Sequence, residues 1–203
     1  MKTTQYSVHP GVAMVQSAVS GLKQKTGRTL EEWIAFVRKH GPATEKARHE
    51  WLKKDQGLGT NYAGWIAERA AGKGAEDGDP DAYLASAERY VDDMFKGPKA
   101  ALKPLYDALL DVGLSVGPDV KACPCKTIVP LYRHHVFAQI KPSTRTRIDF
   151  GLALGPTRAP KRLIDTGGFK KKDRITHRIE IQATSDIDAE LKRWLKRAYE
   201  LDA

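Results

Sequence analysis

Two patterns of apolar spacing divide the chain. Between Val12 and Ile66 apolar residues recur every three or four positions, whereas between Thr127 and Gln182 they alternate with polar ones. The first pattern predicts four short helices. Val12, Val15, Val19 and Leu22 mark one over 12–25, which stops near Gly27. Thr29-Leu-Glu-Glu32 has capping-box spacing and opens a second through Trp33, Phe36 and Val37, ended by Gly41-Pro42. A third runs over 44–56 with Trp51 and Leu52 inward, and a fourth, after Gly59, buries Tyr62, Ala63 and Ile66. The stretch "AAGKGAEDGDPDAY" breaks the periodicity with Gly72, Gly74, Gly78 and Pro80 among small and acidic residues. The expected layout is a small helical domain over 1–72, a linker over 73–80 and an α+β domain over 81–203.

Beyond the linker, Tyr83, Leu84, Ala87, Tyr90 and Val91 predict a helix over 81–94, and Leu102, Leu105, Leu109 and Leu110 one from about Lys99 to Val112. Pro104 either starts the regular part of that second helix or kinks it. Alternation then predicts strands over 127–132, 136–141, 145–152 and 175–182, with a weaker one over 162–166. Ser185 is the expected cap of a last helix carrying Leu191, Trp194, Leu195 and Ala198. The fold class is therefore a small all-α domain plus an α+β domain. In the latter, an antiparallel sheet of four to five strands has helices on one face. Parity separates two faces. Ile148, Phe150 and Leu152 share one with Ile175, His177, Ile179 and Ile181. Arg145, Arg147, Asp149, Arg174, Arg178 and Glu180 fall on the other, which is expected to stay open.

Charge sharpens this picture. The formal net charge is +9, and residues 121–178 alone hold 14 Lys and Arg against 3 Asp and Glu. A basic surplus concentrated in the strand region points to an anionic partner. The candidate contacts are Lys141, Arg145, Arg147, Arg174 and Arg178 on the open sheet face, with Lys170, Lys171 and Lys172 in the loop "FKKKDR". Tyr132 and Asp149 are possible ligand contacts beside them. Asp149 and Glu180 can also pair with these arginines across strands and neutralise part of the field. Gly57-Leu-Gly59 before a helix has the form of a phosphate-binding turn, and equally of a plain helix–Gly–helix connection.

Cys123, Cys125, His134 and His135 are the right residue types for zinc. The intervening strand, at about 3.3 Å per residue, holds thiols and imidazoles too far apart for one ion. No metal and no cofactor are expected. His177 lies among isoleucines and reads as a satisfied core histidine, so no catalytic residue is assigned. No apolar run approaches the roughly 20 residues of a membrane span. The amino-terminal stretch shows no signal-peptide pattern, so the expected location is the cytoplasm, without a membrane partner.

"KTIVPLYRHHVFAQIKPSTRTRIDFGLAL", "THRIEI" and "IDAELKRWLKRAYE" together resemble the family named domain of unknown function 5655. "TGRTLEEWIAFV" with "WLKKDQGLGTNYAGWIA" is similar to domain of unknown function 4287. The pair in this order resembles a recurrent two-domain bacterial protein. The resemblance implies an architecture and carries over no catalytic residue. The C-terminal type also occurs beside nuclease-like domains, which points towards nucleic acid. The leading expectation is binding of DNA, RNA or another polyanion on the basic sheet face. An enzyme or sensor taking a small anionic ligand near Arg147, Asp149 and Arg178 is the alternative, and a protein-interaction module is a third.

Overall fold

A computed structural model describes residues 6–158 and 160–203. They form two compact units, Val8–Ala85 and, with Tyr6 and Ser7, Ser86–Ala203. The division falls within one helix, α6 (Pro80–Met94).

In the first unit, α1 (Pro10–Ser20) and α2 (Leu22–Thr26) replace the single helix predicted over 12–25, because the chain breaks at Gly21. The capping box predicted at Thr29 and Glu32 is present at the start of α3 (Leu30–His40). α4 (Glu45–Lys54) and α5 (Thr60–Ala70) follow. Trp33, Val37, Leu52, Ala63 and Ile66 form the core, with Phe36 stacked on Trp51 at 5.7 Å. The indole N–H of Trp33 donates to Thr26 Oγ1 at 2.8 Å, so its polar atom is satisfied. Residues 75–77 make a 3-10 turn that packs against α1.

The second unit is a six-stranded antiparallel sheet in the order β1-β2-β3-β4-β6-β5. The strands are β1 (Lys121–Ala122), β2 (Val129–Tyr132), β3 (Val136–Pro142), β4 (Ile148–Leu152), β5 (Ile164–Asp165) and β6 (His177–Ile181). Two of them are too short to alternate, which is why alternation predicts only four or five. Tyr6 bridges to Ala122 in parallel at the β1 edge, and its hydroxyl meets that of buried Tyr106 at 3.0 Å.

Register sorts the side chains. Ile140, Phe150 and Ile179 line up across β3, β4 and β6, as do Pro142, Ile148 and Ile181, all buried. Covering this face are α7 (Lys103–Leu114), which starts after a 3-10 stretch with Pro104 in its first turn, and α9 (Ala189–Glu200). Pro104 therefore begins the helix rather than kinking it. A bulge between Leu131 and Tyr132 and their β3 partners lets consecutive Phe137 and Ala138 both be buried. The α9 cap is Asp188, not Ser185. Asp188 accepts from Leu191 N, while Ser185 lies within a preceding 3-10 turn.

On the opposite face the row Gln139, Gly151, Arg178 runs beside Lys141, Asp149, Glu180. Gly151 is required there by close approach. A Cβ at this position would fall 2.7 Å from Ile175 Cγ2 and 2.8 Å from Gln139 Cγ. No helix among the described residues is long and apolar enough to cross a membrane.

Candidate anion-binding site

The pleat puts Asp149 directly opposite Glu180, two like charges side by side. That juxtaposition is unfavourable unless cations bridge it. Arg147 does so with Nε 2.9 Å from Asp149 Oδ1 and Nη1 2.9 Å from Glu180 Oε1. Arg178 does so with Nη1 2.8 Å from Asp149 Oδ2 and Nη2 3.0 Å from Glu180 Oε1. Ser143 Oγ donates to Asp149 Oδ2 at 2.6 Å. The Arg147 Nε contact lacks hydrogen-bond alignment and acts through charge alone. Two guanidiniums and two carboxylates therefore close on themselves. The open face is polar but not a basic plate: Asp149 and Glu180 pair with Arg147 and Arg178, the neutralising alternative that the sequence offers.

Of the other sequence-predicted residues, Lys141 shares that face directly opposite Asp149, whereas Arg145 and Arg174 lie outside the strands. Residues 143–147 form the β3–β4 turn, with Ser143 N and Thr144 N donating to Arg147 O, so Arg145 sits on the turn and off the strand. Arg174 precedes β6. Its Nε donates to Val136 O at 3.1 Å and Nη2 pairs with Asp202 Oδ1. Asp202, 5 % exposed, also accepts from His135 N at 2.7 Å and meets His135 Nδ1 at 3.0 Å. Burial would raise the Asp202 carboxyl, but the His135 bonds and Arg174 outweigh it and hold it below the usual carboxylate range. Lys170, Lys171 and Lys172 are exposed at and just after the short helix α8 (Gly168–Lys171). Tyr132 ends β2 half-buried, its phenol pushed up to about 12, chiefly by burial.

One place gathers cations without matching acids. Lys96, Lys99, Lys126, Lys141 and Arg145 line a cleft of about 1000 Å³ whose one carboxylate is Asp93. Lys96 Nζ is 2.8 Å from Asp93 Oδ1, and Lys99 Nζ donates to Pro142 O at 2.5 Å. Lys126, Lys141 and Arg145 have no ion pair among the described residues. Thr127, Pro98 and Met94 complete the lining. The sequence reading found Lys141 and Arg145 but missed Lys96, Lys99 and Lys126. The first two lie in a net acidic stretch, and only the lysine-flanked Gly97-Pro98 turn marks them.

The Gly57–Gly59 turn is a tight helix connection, with Gly57 at φ +70° and Gly59 as the cap of α5. Its cations face rings and a phenol. Arg28 Cζ lies 4.7 Å from the Trp33 and 4.2 Å from the Phe36 ring centre, and Lys25 Nζ donates to Tyr62 OH at 3.2 Å. Burial first, then Cys125, pushes the Cys123 thiol up to about 12, and burial also raises Cys125, so both stay protonated at neutral pH. Among the described residues no three His, Cys, Asp or Glu gather to hold a metal ion. His177 is buried, with Nε2 donating to Thr157 O at 2.9 Å and Nδ1 accepting from Thr176 Oγ1 at 2.9 Å. Both ring nitrogens are thereby satisfied.

Two outcomes follow for stability. Asp149→Ala strands two guanidiniums beside one carboxylate and is expected to cost about 1–3 kcal/mol in urea denaturation, whereas Arg145→Ala stays within about 0.5 kcal/mol. Asp202 stabilises the fold fully above about pH 4, its unfolded value, and loses that contribution as pH falls through its lower folded value. The stability gap between wild type and Asp202→Asn is therefore flat near neutrality and narrows in acid, measurable by chemical denaturation across pH.

A family model described as domain of unknown function (DUF4287) matches residues 14–71, and one described as domain of unknown function (DUF5655) matches residues 91–202. No curated protein and no solved structure matches. The helical first unit and the sheet with its lysine-lined cleft coincide with these two matches in order, and the chain belongs to the DUF5655 family, with a DUF4287 domain preceding.

Proposed function

We propose that this protein binds a phosphate-bearing polyanion, nucleic acid in the first instance, at the cleft formed by Lys96, Lys99, Lys126, Lys141 and Arg145. The observation that carries the reading is that Lys126, Lys141 and Arg145 converge there with no carboxylate partner among the described residues. On the sheet face, by contrast, Arg147 and Arg178 are each held between two carboxylates. A guanidinium already satisfied in this way would have to give up an internal pair to take a phosphate. Lys126, Lys141 and Arg145 give up only water.

Contacts of this kind position a phosphate backbone and carry no base readout, so binding is independent of sequence. Uptake of roughly three phosphates releases about three counterions. Cys123 and Cys125 are not joined in a disulfide, which is compatible with a reducing compartment, and the cytoplasm is the location in this reading.

Fluorescence anisotropy with a labelled oligonucleotide across a salt series tests the proposal. The expected slope of log K against log salt is about −3 for duplex and about −2 for a single strand, and each of Lys126→Ala, Lys141→Ala and Arg145→Ala reduces its size by about one. Arg147→Ala leaves the slope unchanged. Absence of binding at low salt, or a slope indifferent to the three cleft substitutions, overturns it. Stabilisation by inorganic pyrophosphate without oligonucleotide binding would favour the small-anion alternative at the same cleft.

A further inference from the structure

Helix α1 is capped by a histidine. His9 precedes it in extended conformation, and the ring nitrogen Nδ1 accepts from Gly11 N at 2.9 Å. Pro10, in the first turn, has no N–H to satisfy, and Val12 N donates to His9 O at 2.9 Å. His9 thus takes up the amides of both residues that follow the proline. The ring lies close over the backbone. A Cβ at Gly11 would fall 2.8 Å from His9 Nδ1 and 3.2 Å from its Cε1, so the glycine is what lets the imidazole reach this amide.

The caps of α3 and α4 are of another kind. Thr29 and Thr44 accept through hydroxyl oxygens, which do not titrate in the physiological range. An imidazole nitrogen accepts a hydrogen bond only while it carries no proton. Once protonated, Nδ1 turns a donor towards the Gly11 donor, and the ring puts a positive charge at the positive end of the helix dipole. The helix itself, PGVAMVQSAVS, has no charged residue to answer it. The elements around it bring Glu76 and Asp77 in the 3-10 turn packed on α1, and Arg69 of α5, which reaches Gly78 beside Val15. From α6 comes Tyr83, whose ring centre lies 6.2 Å from that of His9. Burial of the imidazole lowers its pKa, in the same direction as the cap bond.

Little of α1 is anchored by packing. Two of its eleven residues, Val12 and Val15, are buried, and Met14 is exposed. We infer that His9 makes α1 an acid-released element of the first unit: protonation of Nδ1 uncaps the helix, and its first turns unwind and uncover Val12 and Val15. The neutral cap contributes fully above about pH 6.5, the value of a histidine in the unfolded chain. That contribution is lost as pH falls through the lower folded value.

Nuclear magnetic resonance on the full-length protein, from about pH 7.5 down to about pH 5, tests this. The Gly11 amide signal is expected to move together with the His9 ring signals, at a midpoint below 6.5. Hydrogen-exchange protection of the α1 amides, corrected for the intrinsic rate, falls about ten-fold over the same range, while that of α3 does not fall. His9→Asn keeps a cap that has no proton to gain, and its α1 protection is independent of pH. His9→Ala has no cap, and its α1 protection at neutral pH already equals that of wild type in acid. A Gly11 amide indifferent to the His9 titration, a His9 midpoint at or above 6.5, or α1 protection that falls equally in wild type and His9→Asn overturns the inference. None of these readouts involves an oligonucleotide, so failure here and failure of the polyanion reading are told apart.

Discussion

Two carboxylates facing each other across β4 and β6 set the character of the C-terminal domain. Asp149 and Glu180 are paired residues in the register, and their side chains leave the same face of the pleat. Left alone, they would repel one another in a partly desolvated setting. Arg147 and Arg178 resolve this by each bridging both acids, which ties the end of the β3–β4 turn to β4 and β6. The four charges on the sheet face thereby cancel. The positive charge of the region is left to its margins, in the lysine cleft beside the turn and on the exposed Lys170, Lys171 and Lys172.

Much of the fold was legible because pleat and helix impose simple periods. The alternation of Ile148, Phe150 and Leu152 with Asp149, and of Ile179 and Ile181 with Arg178 and Glu180, survives intact in β4 and β6. The capping box at Thr29 and Glu32 is likewise local chemistry, readable wherever the spacing occurs. Buried His177 follows from parity alone. Strand ends were less legible. Arg145 and Arg174 continue the alternation in the sequence, yet both lie outside the strands, because the turn at 143–147 and the segment before β6 take their hydrogen bonds elsewhere. Ser185 looked like a cap, but Asp188, three residues on, offers a carboxylate to the same kind of free amide and also pairs with Arg162.

The candidate site was legible in part. Two of its cations, Lys141 and Arg145, come from the basic stretch. Lys96 and Lys99 arrive from the turn before α7, and Lys126 from the loop before β2. No local pattern reports that three separate segments meet. The same holds for Asp202, where a residue near the chain's end answers His135 and Arg174 from two different loops. Within the domain, cations fall into two classes by partner. Arg147, Arg174 and Arg178 have carboxylates at hydrogen-bonding distance, whereas Lys126, Lys141 and Arg145 have none among the described residues.

That division is the central claim, and amide and guanidinium chemical-shift mapping during a low-salt titration with a short oligonucleotide tests it most directly. The account predicts movement at Lys99, Lys126, Lys141 and Arg145, with the guanidinium signals of Arg147 and Arg178 unmoved. Displacement of those two guanidinium signals, with the cleft silent, would contradict it.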